Sequence, residues 1–440
     1  TVDFYLINEK NVRGKHQLKI SVTDSQGNIT EVGTYETEAA GGEVYGQLLV
    51  KDVKIPVPAA GGLCRIQAKL CKENSVVTTG YDDILSVNLA SNMLDGKGAV
   101  WEDGNALQNF LKGKTKEAVA AYEDNLGKLD WIMVARPPKK DQLTMVPMEA
   151  LRSADGKPGL DVVYYEDMEF QKEVYHEVAK VVNLSAIEGA TPSPFVYMLD
   201  GYGIKWSGKI LPSVSGEYTI IPQSNDRSMI EVFVNGKKIY EITRKKEHLG
   251  DGKVYLEGGK SADIEIRFRH PRSNARCRLD WAVPNDKMPD AQRLMERAVN
   301  DGTKIFIIQS ADEWSEFIAA NSKAVFKDKF FVGTNWLGGV MFNKPHDIFK
   351  ELPVGNALNW PYQALIHTGV ERMGLVMEGE ELLVGAYHTY PMAIGTAMGI
   401  VPMGKGSVLF STLDIYGNII NDSAAGLVAK KLIFNMIDFK

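Results

Sequence analysis

The stretch Gly201–Tyr240, GYGIKWSGKILPSVSGEYTIIPQSNDRSMIEVFVNGKKIY, decides how the middle of this chain folds. It reads as a strand carrying Trp206, a turn at Ser215-Gly216, and two more strands split by the polar loop QSNDRS. The last hairpin turns at Asn235-Gly236. Those two residue types accept the positive φ values that a two-residue hairpin loop demands.

Outward from this stretch, residues 159–284 keep the same texture of short strands and turns, with little helical periodicity. On either side the pattern changes. NALQNFLKGKTKEAVAAYEDNLGK (105–128) spaces its apolar residues for a helix that Gly113 would interrupt, and LDWIMVA (129–135) reads as a buried strand. PDAQRLMERAVNDGTKIFIIQS (289–310) repeats the alternation: a helix, an Asp-Gly stop and an apolar strand. A helix near DEWSEFIAAN, a strand at FFVGTNW and a closing helix in SAAGLVAKKLIFNMIDF follow. Helices alternating with continuous apolar strands indicate an α/β domain with a partly parallel sheet. Residues 1–98 are instead strand-rich (VDFYLIN, HQLKISVTD, GQLLVKDVKIPV, GLCRIQAKL), as in an antiparallel sandwich.

The expected fold class is therefore multidomain β and α/β. An immunoglobulin-like β-sandwich occupies 1–98, and an α/β domain occupies 99–157 plus 287–440. A second β-sandwich, 158–286, is inserted into that α/β domain. Insertions are tolerated where the ends of the insert lie close together at a surface. The Pro-rich ARPPKK (135–140) and PNDKMPD (284–290) suit the two junctions.

The 440 residues carry a formal net charge of -6 with both signs interspersed, so no basic stripe suggests nucleic acid. No apolar run approaches the roughly 18 residues a membrane span needs. Cys64, Cys71 and Cys277 give neither a disulfide framework nor zinc spacing. Cys64 and Cys71 lie seven apart in one strand, hence on opposite faces. The chain opens on Thr1 and reads at once as a strand, as in a processed or truncated product.

No catalytic residue is expected. Asn8-Glu9 is the dipeptide by which one large group of glycosidases presents its acid/base carboxylate, but here it lies at a sandwich edge. A (β/α)₈ barrel needs about 250 residues of regular repeats, which this chain does not offer. Glu378, Glu380 and Glu381 read as a solvated hairpin tip, and Lys405 in MGKGS as another turn. The α/β segments hold no cysteine and no G-x-S-x-G elbow, which leaves His367 and His388 as hydrogen-bonding groups.

Binding is better represented. Sugar rings stack on flat aromatic faces, and Trp206, Trp281, Trp336, Trp360, Tyr362, Tyr387 and Tyr390 are candidates. Trp206 and Trp281 sit in strands, where core packing is the plainer account. Trp360 and Tyr362 fall in the loop NALNWPYQ, and loops carry function more often. Asn225 and Asp226 are two adjacent oxygen-bearing side chains in a loop. They could ligate calcium, or simply form an Asx turn. Calcium is the one cofactor this pattern admits, and carbohydrate-binding candidates are Asn225, Asp226, Trp360 and Tyr362.

Three segments also resemble known families. GLDVVYYEDMEF, IKWSGKILPSVSGEYTI, SNDRSMIEVFVNGKKI, KVYLEGGKSADIEIRFRH and RCRLDWAVP resemble, in order and spacing, the carbohydrate-binding domain named after anthrax protective antigen (PA-14). Its lectin members use two consecutive Asp residues for calcium and sugar, a position that looks like Asn225-Asp226 here. VDFYLINEKNVRGKHQLKISVTDSQGN resembles the sandwich that follows the catalytic barrel in β-galactosidase-like family 2 glycoside hydrolases, and the last third resembles their C-terminal region. The α/β half is similar to flavodoxin-like folds of the amidotransferase type. The resemblance implies an accessory region of a secreted or periplasmic bacterial glycoside hydrolase acting on oligo- or polysaccharides. It would support or cap a barrel lying upstream, without hydrolysing glycosides by itself. The rival reading is a free-standing carbohydrate-binding or adhesion protein.

Overall fold

A computed structural model describes the chain except for residues 74, 90–92, 139–142, 187–190, 225–226, 273–274, 285–288, 333–338, 356, 368–372, 390–391, 421–423 and 440. The architecture is mostly β, distributed over several sheets. In the N-terminal region the strands Arg13–Thr23, Ile29–Ala40, Gly62–Lys72 and Ser75–Ser86 form one antiparallel sheet, and Val2–Ile7 pairs with Gly46–Val53 in another. Alternate residues Leu18, Ile20, Val22, Cys64 and Ile66 turn inward to form its core. Cys64 and Cys71 are both free and buried. The pairing register shifts between Leu70 and Cys71.

The largest sheet begins at Gly98–Glu102. Five of its strands are parallel: Ala120–Ala121, Gly98–Glu102, Trp131–Ala135, Lys304–Ile307 and Gly406–Ser411, side by side in that order. Numbered along the chain, that order is second, first, third, fourth, fifth. The sheet then continues in antiparallel strands, including Met392–Met403 and Glu381–Thr389. Successive side chains of one strand enter two different cores. Trp131 and Met133 pack against the helices Ala106–Leu111 and Ala424–Asp438, while Ile132 and Val134 pack against Ala291–Asp301 and Ala311–Ala320. Burial on both faces explains why LDWIMVA is a continuous apolar run.

The helix Ala291–Asp301 starts and stops on sequence signals. Asp290 accepts from the backbone N–H groups of Gln292 and Arg293, and Gly302 takes the left-handed conformation at the C-terminus. The helix expected over 105–128 is shorter: only Ala106–Leu111 is helical. Gly113 has φ 72°, and the chain beyond it turns toward the small strand Ala120–Ala121.

The crossover between the third and fourth parallel strands carries the insert. Its two sheets enclose one apolar core that includes Trp206, Tyr218, Phe268 and Trp281. One sheet contains Leu160–Tyr165, Tyr202–Ile210, Ala262–His270, Met229–Val234 and Lys237–Ile242; the other contains Arg276–Ala282 and Gly216–Ser224. The chain therefore changes sheets between Ile210 and Gly216. Asn235 and Gly236 both have positive φ at the tip of the Met229–Val234 hairpin. Pairing reaches upstream of residue 158, because Thr144 lies opposite Trp281 and Leu151 opposite Ile210.

Among the described residues, no helix is long and apolar enough to cross a membrane.

Candidate functional site

At one end of the insert's larger sheet lies an open cleft of about 650 Å³. Three segments build it. The first is the turn after Tyr165, where Asp167 organises the backbone. Its Oδ1 accepts from Glu169 N at 2.8 Å and its Oδ2 from Lys172 N at 2.6 Å. These backbone donors, with Gln171 N, outweigh desolvation and hold the Asp167 carboxyl below its usual range. Phe170 is thereby forced to φ 59°. Its ring packs over Gly203, where an added Cβ would meet it at 2.7 Å, and edge-on against Tyr165 at 5.3 Å.

The second segment is the register pair Met229 and Arg269 on adjacent strands. Arg269 donates to Met168 O at 3.0 Å and to Glu231 Oε2 at 2.9 Å, and its guanidinium lies 4.6 Å from the Phe170 ring centre. Partial burial would raise the Glu231 carboxyl, but hydrogen bonds from Arg269 and Lys238 hold it below the usual range. Beneath them Ser228 Oγ lies 3.1 Å from His270 Nδ1.

The third segment is the turn after Lys237–Ile242. Thr243 N donates to Glu247 O and Lys246 N to Thr243 O, both at 2.9 Å, with Lys246 at φ 64°. Arg244 and Lys246 line the cleft from this turn, and Arg227 lines it as well.

Arg227 and Ser228 in this cleft adjoin Asn225-Asp226, which lie outside the described residues. Among the described residues, no cluster of histidine, cysteine and carboxylate side chains could hold a metal ion. The other sugar candidates are elsewhere. Tyr362 is 1 % exposed, its hydroxyl donating to Pro353 O at 2.7 Å. A ring enclosed in this way offers no face to a sugar, because the loop NALNWPYQ closes over the α/β core. Trp360, two residues earlier, is 45 % exposed. Trp206 and Trp281 are core residues; Trp336 and Tyr390 lie outside the described residues, as does the His367 side chain. Tyr387 is half-buried on the strand Glu381–Thr389. Asn8 is buried and exchanges two hydrogen bonds with the Val12 backbone, so it shapes a loop.

The cationic side chains of the cleft were not singled out by sequence reasoning. Their signal is the tribasic run Arg244-Lys245-Lys246 directly after a predicted strand.

A second polar cluster sits at the C-terminal ends of the parallel strands. Arg136 Nη1 donates to Asp103 Oδ1 at 2.6 Å, and Thr144 Oγ1 donates to Asp103 Oδ2 at 3.2 Å. Tyr416 donates to Glu102 Oε2 at 2.9 Å, which also accepts from Leu107 N. Burial pushes the Glu102 carboxyl up, against those hydrogen bonds, and the neighbouring Glu149 adds to the rise.

Comparison with known proteins assigns the insert. Residues 156–293 match the PA14 domain, so the chain contains one. Among curated proteins, anti-sigma-I factor RsgI3 of Acetivibrio thermocellus is 27% identical over 127 residues, covering 28% of this chain and 19% of that protein. The matched part thus spans less than a fifth of that relative's length. Of solved structures, an anti-sigma factor domain-containing protein is 26% identical over 30% of this chain and 44% of its own, with a TM-score of 0.25. A β-glucosidase from Kluyveromyces marxianus is 13% identical over 50% of this chain and 29% of its own, at TM-score 0.34. The Epithelial Adhesin 9 A domain of Candida glabrata, solved with Galb1-3GlcNAc, is 14% identical over 34% and 89%, at TM-score 0.24.

Proposed function

We propose that this chain binds carbohydrate through its PA14 domain, as the accessory region of a secreted or periplasmic glycoside hydrolase acting on oligo- or polysaccharide. The observation that carries the proposal is the PA14 match over residues 156–293 together with the open cleft lined by Arg227, Ser228 and Arg269. Ligand contact there is supported by the shape of the cleft, which is concave, and by Arg269, which its bonds to Met168 and Glu231 hold in place.

Attachment to a hydrolase is supported by the order of parts: an antiparallel sandwich, then an α/β body interrupted by the insert. The parallel strands of that body follow the order of flavodoxin-like folds, which supports reading it as amidotransferase-like. The five parallel strands lie in an open sheet, so the described residues supply no barrel for glycoside chemistry. The catalytic barrel belongs to an upstream part of the same polypeptide, which the insert would cap.

A glycan array followed by calorimetry tests the binding. Oligosaccharide should bind the intact chain with micromolar affinity, equally with calcium and with chelator, since Asn225 replaces the first acid of the lectin pair. Arg269→Ala should weaken it about tenfold, the typical scale of one lost charge-assisted contact. Nitrophenyl glycosides should not turn over. Turnover abolished by one carboxylate substitution would refute the accessory role, and a glycan-blind array would refute the binding.

A further inference from the structure

Among its described lining residues the cleft carries four cationic side chains, Arg227, Arg244, Lys246 and Arg269, against one carboxylate, Glu169. This concentration of positive charge sits on a chain whose formal net charge is -6, so it is a local feature and not a reflection of composition. Arg269 is already committed to Glu231 and to the Phe170 face. Arg227, Arg244 and Lys246 form no ion pair with any described residue. Cations that no described residue pairs, at the rim of one concavity, raise the local concentration of anions and stand ready to make charge-assisted hydrogen bonds.

Neutral sugars are gripped differently, by aromatic faces below the ring and carboxylate or amide acceptors at its hydroxyls. None of the described lining residues is aromatic. The apolar floor comes from Met168 and Met229. What the cleft does offer is forked donors, and an arginine fork matches a planar carboxylate or a sulfate ester in a way it cannot match a hydroxyl.

We infer that the PA14 cleft selects anionic glycans, sugars bearing carboxylate or sulfate groups, through Arg227, Arg244 and Lys246. The inference rests on the carbohydrate-binding reading of this domain and specifies its ligand class. Arg269 acts as the fixed floor, while the three rim cations reach the charged substituents of successive sugar residues. Because the rim is exposed, binding should weaken steeply as added salt shortens the screening length.

The test uses the whole chain and calorimetric titration with four probes. These are a short oligogalacturonate, the same oligosaccharide fully methyl-esterified, a sulfated galactan oligosaccharide, and its desulfated form. The esterified and desulfated probes keep the sugar and remove the charge. At least one anionic probe should bind about tenfold or more tighter than its neutral counterpart, and which one does separates carboxylate from sulfate recognition. The double variant Arg244→Gln, Lys246→Asn should lose that preference while its melting curve stays unchanged. Both sites are exposed turn positions, and Asn tolerates the left-handed backbone at 246. Equal binding of charged and neutral probes overturns the anionic selection and leaves sugar binding standing. Binding of none of the probes, together with a silent neutral glycan array, overturns both. Inorganic sulfate displacing the oligosaccharide at equal concentration reduces the cleft to a general anion trap and also overturns the proposal.

Discussion

Two of the polar clusters among the described residues are built on opposite terms. The one at the ends of the parallel strands is sealed. Asp103 and Arg136 are almost fully buried, bonded to each other and to Thr144, and the Trp314 indole donates to the Arg136 carbonyl at 2.7 Å. The one in the insert is open, with Arg227, Arg244 and Lys246 in solvent. Sealed charges must satisfy one another or be neutralised, and burial does push the Asp103 carboxyl up against the lowering by Arg136. Open charges need no internal partner, since water solvates them. The sealed cluster also joins two domains: Thr144, which binds Asp103, pairs in register with Trp281 of the insert. It thus ties the insert's sheet to the α/β body, whereas the open cleft is left facing solvent.

The largest expected effect breaks the sealed cluster. Arg136→Ala leaves Asp103 buried without its countercharge and should destabilise the chain by about 3–5 kcal/mol in urea unfolding, while glycan affinity per folded molecule stays unchanged. A variant as stable as the parent would show that water, and not Arg136, compensates Asp103. Next comes a change where fold and cleft meet. Gly203→Ala would place a Cβ 2.7 Å from Phe170 and 2.9 Å from the Asp167 carbonyl. A loss of about 1–3 kcal/mol is expected from overpacking. Because Phe170 supports Arg269, glycan affinity should fall as well. Reduced stability with full affinity would uncouple the cleft from that turn.

What sequence alone conveyed follows the same division. The Asn235-Gly236 turn, the strand LDWIMVA and the cap Asp290 with Gly302 were legible because each is fixed by local backbone chemistry or by burial on two faces. In 105–128 the helical spacing of the apolar residues continues past Gly113, but the interruption expected at that glycine is real: the helix ends at Leu111 and Gly113 has φ 72°. Tyr362 was misjudged because a loop position says nothing about whether the loop folds over a core. Convergence of residues 168–169, 227–229, 243–246 and 269 in one cleft depends on strand pairing across the sheet, and no window of sequence contains it. Only the tribasic run Arg244-Lys245-Lys246 hinted at it.

A third prediction turns on protonation at the rim of the sealed cluster. Both carboxyl oxygens of Glu149 are buried and find no side-chain partner among the described residues, and burial raises its pKa from the ordinary carboxyl range against its own backbone N–H and the charge of Arg152. A raised folded-state pKa means the folded chain holds that proton more tightly than the unfolded chain. The cost is therefore absent below the unfolded pKa and develops as pH rises through the folded one. Glu149→Leu should stabilise the chain by about 1–3 kcal/mol at mildly alkaline pH, with the gain vanishing in acid. A gain independent of pH would assign the effect to packing and not to charge.

The smallest effect concerns Trp360, the exposed aromatic candidate among the described residues. Trp360 lies in the short turn Trp360–Tyr362 of the α/β body, held by Pro361 and by the buried Tyr362 beside it. Its ring is nearly half in solvent, so Trp360→Ala should change stability by less than about 0.5 kcal/mol. Glycan affinity should be unchanged, because recognition is assigned to the insert and Trp360 is not among the residues lining its cleft. Base and sugar stacking on an aromatic face is a contact of substantial size, on the order of 1–3 kcal/mol where bases are concerned. An affinity loss of about tenfold in Trp360→Ala would therefore be easy to read. It would move sugar contact from the open cleft to the α/β body and erase the division of labour between the two regions.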